Sequence, residues 1–456
     1  MIIWLYNLGM VCYAGLIRLA AMWNPKAKAM LLGWRETKTL NRTQIHHQIN
    51  GVVSPSFELI WIHCASLGEF EMAKPIAAAL QAASSQRHVL FSFFSPSGYN
   101  HAVLDINQTK IYLPLDGASS AKRWMQQWNP QAAIFIRYEF WYHYMKSLHQ
   151  NQIPAFALGV AIAPNHFLLS RIAQPWRKQL QQFQAIGLIN QNMCKLATQN
   201  QFHNAFVFGD PKFNRAAERA LLPSPLQNPD IHTNTSTELL QWMRNKPTLI
   251  LGSAWQPEIQ LLQQFIQQYP QALHNWQILI APHNLNPQFI QYIQQAFSEF
   301  PTAIFSENPP NNNHTIAILN TIGQLAQCYR FGTIAIIGGA FGKGLHNTIE
   351  AAAFGLPIVF GPNHNKFPEA SQFIQAGFGF SVNHQNQFNQ TLLQLIQQHS
   401  PNQPHPLSQS AAQFVQNHVA KISEFVKLTY PPSTKSRELG IKTDIFSPSR
   451  SENTHF

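Results

Sequence analysis

Short apolar runs alternate with helical stretches along most of the chain. The first series starts at residue 58 and reads ELIWIHCA, HVLFSFFS, KIYLPLD, AAIFIRYEFW and IPAFALGVAIA, with the helical sequence EFEMAKPIAAALQAA after the first run. Runs of this length, separated by helical sequence, are typical of βαβ units. The pattern therefore predicts a parallel sheet with helices on both faces.

A second series of strand-like runs follows a polar stretch. It reads PTLILGSAW, WQILIAPHN, TAIFSEN, IAILN, TIAIIGGAF and PIVFGPN, and the polar stretch before it, residues 222–238, is rich in Pro, Asn, Thr and Ser. A single core rarely grows beyond ~250–300 residues, and this chain has 456. We therefore predict an α/β fold of two Rossmann-like domains, residues 41–221 and 239–430, joined by a linker at 222–238. A ligand cleft is expected between them, at the carboxyl ends of the strands.

The two ends of the chain differ from this pattern. Residues 1–23 are apolar and aromatic, about long enough to span a bilayer, and are followed by Lys26, Lys28, Arg35 and Lys38. Residues 1–40 are predicted to form a membrane-anchoring helix with a basic flank. The helix could span the bilayer, lie in its interface or pack on the protein body. Residues 431–456 lack periodicity and are predicted to be disordered.

Composition narrows the choice of partners. The formal net charge is +11 and only 11% of residues are charged. Such a surface attracts anionic lipids, phosphorylated substrates or nucleic acid, but the basic residues are scattered and form no arginine-rich arm. Nucleic acid is therefore not expected as a partner. The sequence has four cysteines, Cys12, Cys64, Cys194 and Cys328, and they form no CxxC pair. Neither a disulfide framework nor a zinc site is therefore predicted, and reduced thiols in a cytosolic compartment are expected.

Two carboxylates stand at the ends of individual strands of the first series. In WIHCASLGEF, residues 61–70, Glu69 follows a tight turn and begins a helix. It is either a helix N-terminal charge or a general base at a ligand site. In IFIRYEFWYHYM, Glu139 lies within an aromatic run. A charge there requires a partner or a purpose, so it either pairs with Arg137 or positions a substrate.

The second series carries a glycine-rich turn. The strand TIAIIGG ends at Gly338 and Gly339, and a loop with Gly342, Lys343 and Gly344 follows. A helix is predicted to open near residues 346–347, with N–H groups that could hold a phosphate, and Glu350 one turn further in could accept a sugar hydroxyl. The pattern is not that of a P-loop. The turns GSAWQPE, residues 252–258, and APHN, residues 281–284, are either ordinary turns or further parts of the same site.

Taken together, these motifs resemble the Kdo transferase family, glycosyltransferases of the GT-B fold that transfer 3-deoxy-D-manno-octulosonic acid (Kdo). The matching segments are WIHCASLGEF, RYEFWYHY, FGDPKFNR, GSAWQPE, APHN and GGAFGKGLHNTIEAAAFGLPIVFGP, and the resemblance covers roughly residues 1–425. Two segments differ from many members. His283 stands where they have an arginine, and APNHFLLS, which ends at Ser170, stands where they have NARLS.

The resemblance implies a role for each matched residue. Glu69 would be the catalytic base, and Glu139 and Ser170 would bind the acceptor. The implied donor-binding residues are Ser253, Pro282, His283, Gly339, Gly342, Lys343, His346, Asn347 and Glu350. The family's reaction needs no metal, so no metal ligands are expected. No cofactor is expected either, because CMP-Kdo is the donor substrate.

The resemblance also implies a reaction and a location. The chain would be an inverting glycosyltransferase that moves Kdo from CMP-Kdo to the lipid A precursor, lipid IVA, in lipopolysaccharide biosynthesis. Its place would be the cytoplasmic face of the bacterial inner membrane. The alternative is a GT-B transferase that uses a UDP-sugar and another acceptor, and a sugar-nucleotide-binding module without catalysis is the non-enzymatic alternative.

Overall fold

Each of the two predicted series forms its own sheet. The computed structural model describes residues 2–40, 57–223, 226, 237–342, 344–400 and 403–429. The chain divides into two compact units, Met1–Asn214 with Ala420–Phe456, and Arg215–Val419. The predicted linker and the predicted tail lie largely outside the described residues.

The sheet of unit 1 is parallel and has seven strands. Their spatial order is β3-β2-β1-β4-β5-β6-β7. The strands are β1 (Glu58–Cys64), β2 (Arg87–Phe93), β3 (Gln108–Tyr112), β4 (Ala132–Ile136), β5 (Ala155–Val160), β6 (Ala185–Leu188) and β7 (Ala205–Val207). The predicted runs account for the first five, and β4 ends before Glu139 because the backbone turns at Arg137.

Helices cover both faces of this sheet. Side chains alternate along β1, so that Leu59 and Trp61 pack in one apolar cluster while Ile60 and Ile62 pack in another. Burial on both faces explains why the strand sequences are almost continuously apolar. The helices are α1 (Ile2–Ala20), α2 (Pro25–Thr39), α3 (Leu67–Ala83), α4 (Pro96–His101), α5 (Ala118–Trp128), α6 (Tyr142–Gln150), α7 (Gln174–Leu180), α8 (Gln191–Gln199) and α9 (Pro211–Leu221), with 3₁₀ turns at Phe167–Leu169 and Arg171–Ala173.

The sheet of unit 2 is also parallel and seven-stranded. Its spatial order is β10-β11-β9-β8-β12-β13-β14. The strands are β8 (Thr248–Ala254), β9 (Gln277–Pro282), β10 (Thr302–Ile304), β11 (Ile316–Ile318), β12 (Ile334–Ile337), β13 (Ile358–Phe360) and β14 (Gly379–Ser381). Its helices are α10 (Thr237–Arg244), α11 (Gln256–Gln268), α12 (Pro287–Ala296), α13 (Leu325–Cys328), α14 (Ile349–Ala353), α15 (Pro368–Gln375), α16 (Gln385–Gln398) and α17 (Ser408–His418), with a 3₁₀ turn at Tyr329–Phe331.

The last described helix, α18 (Ile422–Thr429), belongs to unit 1, although the sequence pattern assigns this stretch to the second domain. Two reciprocal hydrogen bonds hold the returning chain: the Ala420 N–H donates to Asn214 Oδ1 at 2.7 Å, and Asn214 Nδ2 donates to the Ala420 carbonyl at 3.1 Å. Phe425 then packs against Phe156 and Phe208. No local pattern announces this return, because the partners lie more than 200 residues earlier in the chain.

Candidate functional site

Each sheet has a switch point, where the strand order reverses direction. In unit 1 it lies between β1 and β4, and in unit 2 between β8 and β12. Ligands of open α/β sheets bind outside the carboxyl ends of the strands at such a point. Glu69, Glu139 and Gly339 lie in the segments that follow β1, β4 and β12, and Ser253 lies at the end of β8. The topology therefore brings the sequence-predicted residues to the expected edge of each sheet.

Glu69 is held at the first turn of α3 by a capping box. Its Oε2 accepts from the Ser66 N–H at 3.0 Å, and the Ser66 hydroxyl accepts from the Glu69 N–H at 3.4 Å. Burial and the charge of Glu139 raise the pKa of Glu69, and they outweigh the opposing effects of His63 and of the backbone N–H groups of Ser66 and Ala65. A half-buried carboxylate with a raised pKa is suited to accept a proton near neutral pH.

Glu139 is kept charged by two neighbours. Its Oε2 accepts from Trp141 Nε1 at 2.9 Å and lies 3.5 Å from His63 Nε2. Burial by itself would raise the pKa of Glu139, but the hydrogen bond and charge of His63, with the indole N–H of Trp141, lower it on balance. Two carboxylates whose pKa values move in opposite directions are typical of an acid–base site with divided roles.

Arg137 does not pair with Glu139, so that alternative from the sequence is wrong. Its guanidinium forms two hydrogen bonds to Asp210, at 2.7 and 2.9 Å, and a third to the Gly159 carbonyl at 3.0 Å. Arg137 has a φ of +66°, which turns the chain sharply after β4. This turn directs the Arg137 side chain towards Asp210 in the FGDPKFNR segment and leaves Glu139 to other partners.

His63 is a site residue that the sequence analysis missed. It lies in β1 and is fully buried, and its Nδ1 is 2.8 Å from Ser92 Oγ and 3.1 Å from the Ser92 carbonyl. On the other side of the ring, Nε2 lies 3.1 Å from Trp141 Nε1 and 3.5 Å from Glu139 Oε2. The one signal in the sequence was an imidazole inside the otherwise apolar run ELIWIHCA.

Ser170 lies between the two 3₁₀ turns, away from these contacts. Its hydroxyl donates to the Phe167 carbonyl at 2.7 Å. Within the described part of the chain, its recorded contacts join it to neither Glu69 nor Glu139. Its role in acceptor binding stays a prediction.

Three neighbouring strand ends form the edge of unit 2, those of β9, β8 and β12. Ser253 has a φ of +52° where the register of β8 shifts against β9, and the His283 N–H that follows Pro282 donates to the Ala254 carbonyl at 2.9 Å. Gly338 meets this bulge from β12, because a Cβ there would lie 2.2 Å from the Ser253 carbonyl oxygen. The GSAWQPE and APHN turns and the glycine-rich loop therefore lie together at one edge of the sheet.

Glu258 fixes the start of the glycine-rich loop. Its buried carboxylate accepts from the Gly339 N–H at 2.9 Å and from the Trp255 N–H at 3.0 Å. Gly339 has a φ of +95°, a backbone conformation that would be strained in a residue with a side chain. Further along the loop, the Gly342 N–H donates to the Gly339 carbonyl at 3.0 Å. Lys343 lies outside the described residues.

Three aromatic rings stack beside this loop. His283 lies 4.5 Å from Trp255 and 4.3 Å from His346, with interplanar angles of 24° and 22°. Trp255 Nε1 points to His346 Nε2 at 3.1 Å, so that nitrogen is the acceptor and the ring is neutral. Burial and the neighbouring His283 lower the pKa of His346. A cavity of about 320 Å³ lies against Trp255, Gly339, His346 and their neighbours.

The helix after the loop is shorter than the sequence suggests. It begins at Ile349 rather than near residues 346–347, and α14 has only five residues. Asn347 stands before it, and its side-chain oxygen accepts from the Ile349 N–H at 3.1 Å. Glu350 Oε1 accepts from Arg219 Nη1 at 2.6 Å. The helix dipole thus contributes less than expected, and Arg219 is a partner that the sequence did not indicate.

Other buried polar groups lie near the same edge of unit 2. The oxygens Thr321 Oγ1, Gln324 Oε1 and Thr348 Oγ1 are buried without a hydrogen-bond partner among the described residues. Buried polar atoms normally have partners, and the described residues supply none for these three oxygens. Among the described residues of both units, no group of three or more His, Cys, Asp or Glu side chains could hold a metal ion.

The architecture defines the class. Two Rossmann-like units in one chain, with an apolar helix at the N-terminus, form the GT-B fold. A solved UDP-GlcNAc 2-epimerase from Neisseria meningitidis, bound to UDP-GlcNAc, superposes with a TM-score of 0.57 at 13% identity, covering 81% of this chain and 98% of that chain. This likeness concerns the fold alone.

The sequence comparisons find similarity to one family of transferases. Residues 34–215 match the family model described as 3-deoxy-D-manno-octulosonic-acid transferase (kdotransferase). The transferase of that name from Rickettsia prowazekii is 23% identical over 415 residues, covering 86% of this chain and 84% of the relative. The one from Haemophilus influenzae is 25% identical over 338 residues, covering 69% and 73%. The chain is a glycosyltransferase similar to the Kdo transferases, whose family model matches its residues 34–215.

Proposed function

We propose that this chain transfers Kdo from CMP-Kdo to a hydroxyl of the lipid A precursor, with inversion at the anomeric carbon. The observation that most directly supports this proposal is the pair of carboxylates at the switch point of unit 1, where the pKa of Glu69 is raised and that of Glu139 is lowered. The family supports Kdo as the sugar. Neither a metal nor a further cofactor is part of the proposal.

The reaction needs one proton acceptor and one stabilised leaving group. Glu69 takes the proton of the acceptor hydroxyl as its oxygen forms the bond to the anomeric carbon of Kdo. The bond between that carbon and the phosphate oxygen of CMP breaks, and CMP leaves with the electron pair. Glu139, held charged by His63 and Trp141, orients the acceptor. Ser170, which lies between the two 3₁₀ turns, is proposed to contact the acceptor as well.

Unit 2 is proposed to hold the donor. Backbone N–H groups and imidazoles at its switch point suit the anionic phosphate of CMP-Kdo, since fixed dipoles stabilise a departing charge. The proposed donor contacts are Ser253, Pro282, His283, Gly339, Gly342, Lys343, His346, Asn347 and Glu350. His283 stands where many members of the family carry an arginine, and its ring stacks on that of His346.

The inner-membrane surface, on its cytoplasmic face, is the proposed site of action. Among the described residues, Ile2–Ala20 is the one helix long and apolar enough to cross a membrane. Its Tyr6 hydroxyl donates to Asp116 Oδ2 at 2.7 Å, and its Tyr13 ring stacks on Phe94 of the protein body. A helix attached to unit 1 at several points along its length suits an interfacial position better than a span.

The base assignment is tested by Glu69→Gln. The amide keeps the size of the side chain but cannot take a proton, and general bases contribute roughly 10²–10⁴-fold, so turnover with CMP-Kdo and lipid A precursor should fall by about that much. Protection of the protein by CMP against heat should be nearly unchanged. The matched control is Glu71→Gln on the same helix. Near-wild-type turnover of Glu69→Gln at saturating acceptor would assign the base elsewhere, with Glu139 the next candidate.

The donor assignment is tested by thermal unfolding with nucleotides. A ligand that binds only the folded state raises its stability by mass action, so CMP should raise the melting temperature more than UMP or UDP. Glu350→Ala should reduce the shift caused by CMP. Arg219→Gln is the control, because it breaks the same ion pair but keeps the carboxylate. Equal protection by UDP would favour a UDP-sugar donor with another acceptor.

A further inference from the structure

Helix α1 has two distinct faces. Ile3, Tyr6 and Ile17 pack towards unit 1, at the three- and four-residue spacing of one helix face. The opposite face is exposed and apolar: Trp4, Leu5, Leu8, Val11, Leu16 and Leu19. An anchor alone would need only the exposed face. The inward face must therefore be explained by what it contacts.

One inward contact reaches the N-terminus of α6. The Tyr6 hydroxyl donates to Asp116 Oδ2 at 2.7 Å. The buried Asp116 carboxylate also accepts from the N–H groups of His143 and Tyr144, at 3.0–3.1 Å. These are N–H groups of the first turn of α6, which have no partner within the helix. Trp141, the residue that immediately precedes α6, donates its indole N–H to Glu139.

Two more contacts reach the same place. The Tyr13 ring stacks on Phe94 with centroids 6.3 Å apart and an interplanar angle of 21°. Phe94 in turn packs on Trp141 at 5.1 Å. Asn7 Oδ1 lies 2.7 Å from His143 Nε2, so that ring nitrogen can donate to it. All three contacts of α1 thus converge on the segment that holds Glu139.

We propose that α1 is a positioning element for the acceptor side of the site, which fixes Trp141 and thereby Glu139 through Tyr6, Asn7 and Tyr13. The inference rests on the proposed function, because it assumes that Glu139 orients the acceptor. The same helix offers its other face to the lipid surface. Membrane contact and the geometry of the site are therefore coupled through one rigid element, and α1 contributes to turnover beyond attachment.

The test compares variants of the full chain in detergent micelles, where membrane attachment does not limit access to the dispersed acceptor. Tyr13→Leu should lower kcat about three- to thirtyfold, within the ~10²-fold that a 1 Å misplacement can cost. Tyr13→Phe keeps the ring and should restore near-wild-type kcat. Tyr6→Phe loses only the hydroxyl bonded to Asp116 and should also lower kcat. In all three, the KM for CMP-Kdo and the melting-temperature shift caused by CMP should stay at wild-type values.

Matched controls on the same helix change only the outward face. Val11→Ala and Leu16→Ala should reduce co-sedimentation with anionic vesicles and leave kcat in detergent unchanged. Wild-type kcat in Tyr13→Leu, or an equal loss in Tyr13→Phe, would overturn the inference while leaving the proposed function intact. A wild-type protein that transfers nothing from CMP-Kdo would overturn both.

Discussion

At the scale of single residues, the two carboxylates of unit 1 predict how turnover depends on pH. A base acts when it is unprotonated, so the acid limb of kcat/KM should follow the raised pKa of Glu69. The charge of Glu139 is one cause of that rise. Glu139→Gln should therefore move the acid limb to lower pH, besides raising the KM for the acceptor. The measurement is a pH profile of kcat/KM with CMP-Kdo saturating.

His63→Gln should move the acid limb of the pH profile in the opposite direction in the same assay. His63 lowers the pKa of Glu69, so its replacement should move the acid limb to higher pH. Glutamine can still donate a hydrogen bond to Ser92 or Glu139, which limits the structural disturbance at this buried position. Limbs that move in the same direction in both variants would be inconsistent with Glu69 as the titrating base.

At the scale of elements, the return of α18 to unit 1 predicts a large effect of a residue near the end of the described chain. Phe425 is buried between Phe156 and Phe208, with centroids 5.3 and 5.9 Å away. Replacement of a buried Phe by Ala costs roughly 3–5 kcal/mol, so Phe425→Ala should lower the melting temperature markedly. Glu424→Ala, exposed on the same helix, should change the free energy of unfolding by no more than about 0.5 kcal/mol. Similar melting curves for the two variants would contradict the packing.

At the scale of the whole molecule, charge and apolar surface predict a two-part attraction to membranes. The chain carries a net charge of +11, and α2 exposes Lys26, Lys28, Arg35 and Lys38 directly after the apolar helix. Each such cation contributes about 1 kcal/mol near an anionic surface. Binding to anionic vesicles should therefore exceed binding to zwitterionic ones in a sedimentation assay.

Salt separates the two parts of this attraction. Raising it from about 0.1 M to about 1 M shortens the screening length from ~10 to ~3 Å and should weaken the binding without abolishing it, because the apolar face of α1 is not screened. Replacement of these three lysines and the arginine by glutamine should remove most of the salt dependence. Complete release of the wild-type protein at high salt would contradict an apolar contribution.

What the sequence determined by itself is local. Continuous apolar runs predicted β1 to β5 of unit 1 and most strands of unit 2, because a strand that is buried on both faces is apolar at nearly every position. The Ser66–Glu69 turn and the glycine-rich loop could be read because a cap or a tight turn is decided within about four residues. The family motifs are of the same local kind, which is why they pointed to the same strand ends.

The tertiary structure decided which of these groups meet. The pairing of Arg137 with Asp210, the contact of His63 with Trp141 and the stack of Trp255, His283 and His346 join residues that are tens of positions apart. The faces of α1 and the return of α18 were settled in the same way. Spacing along the chain holds no record of such contacts, because they depend on strand order and on the direction of each turn, which only the packed sheets fix.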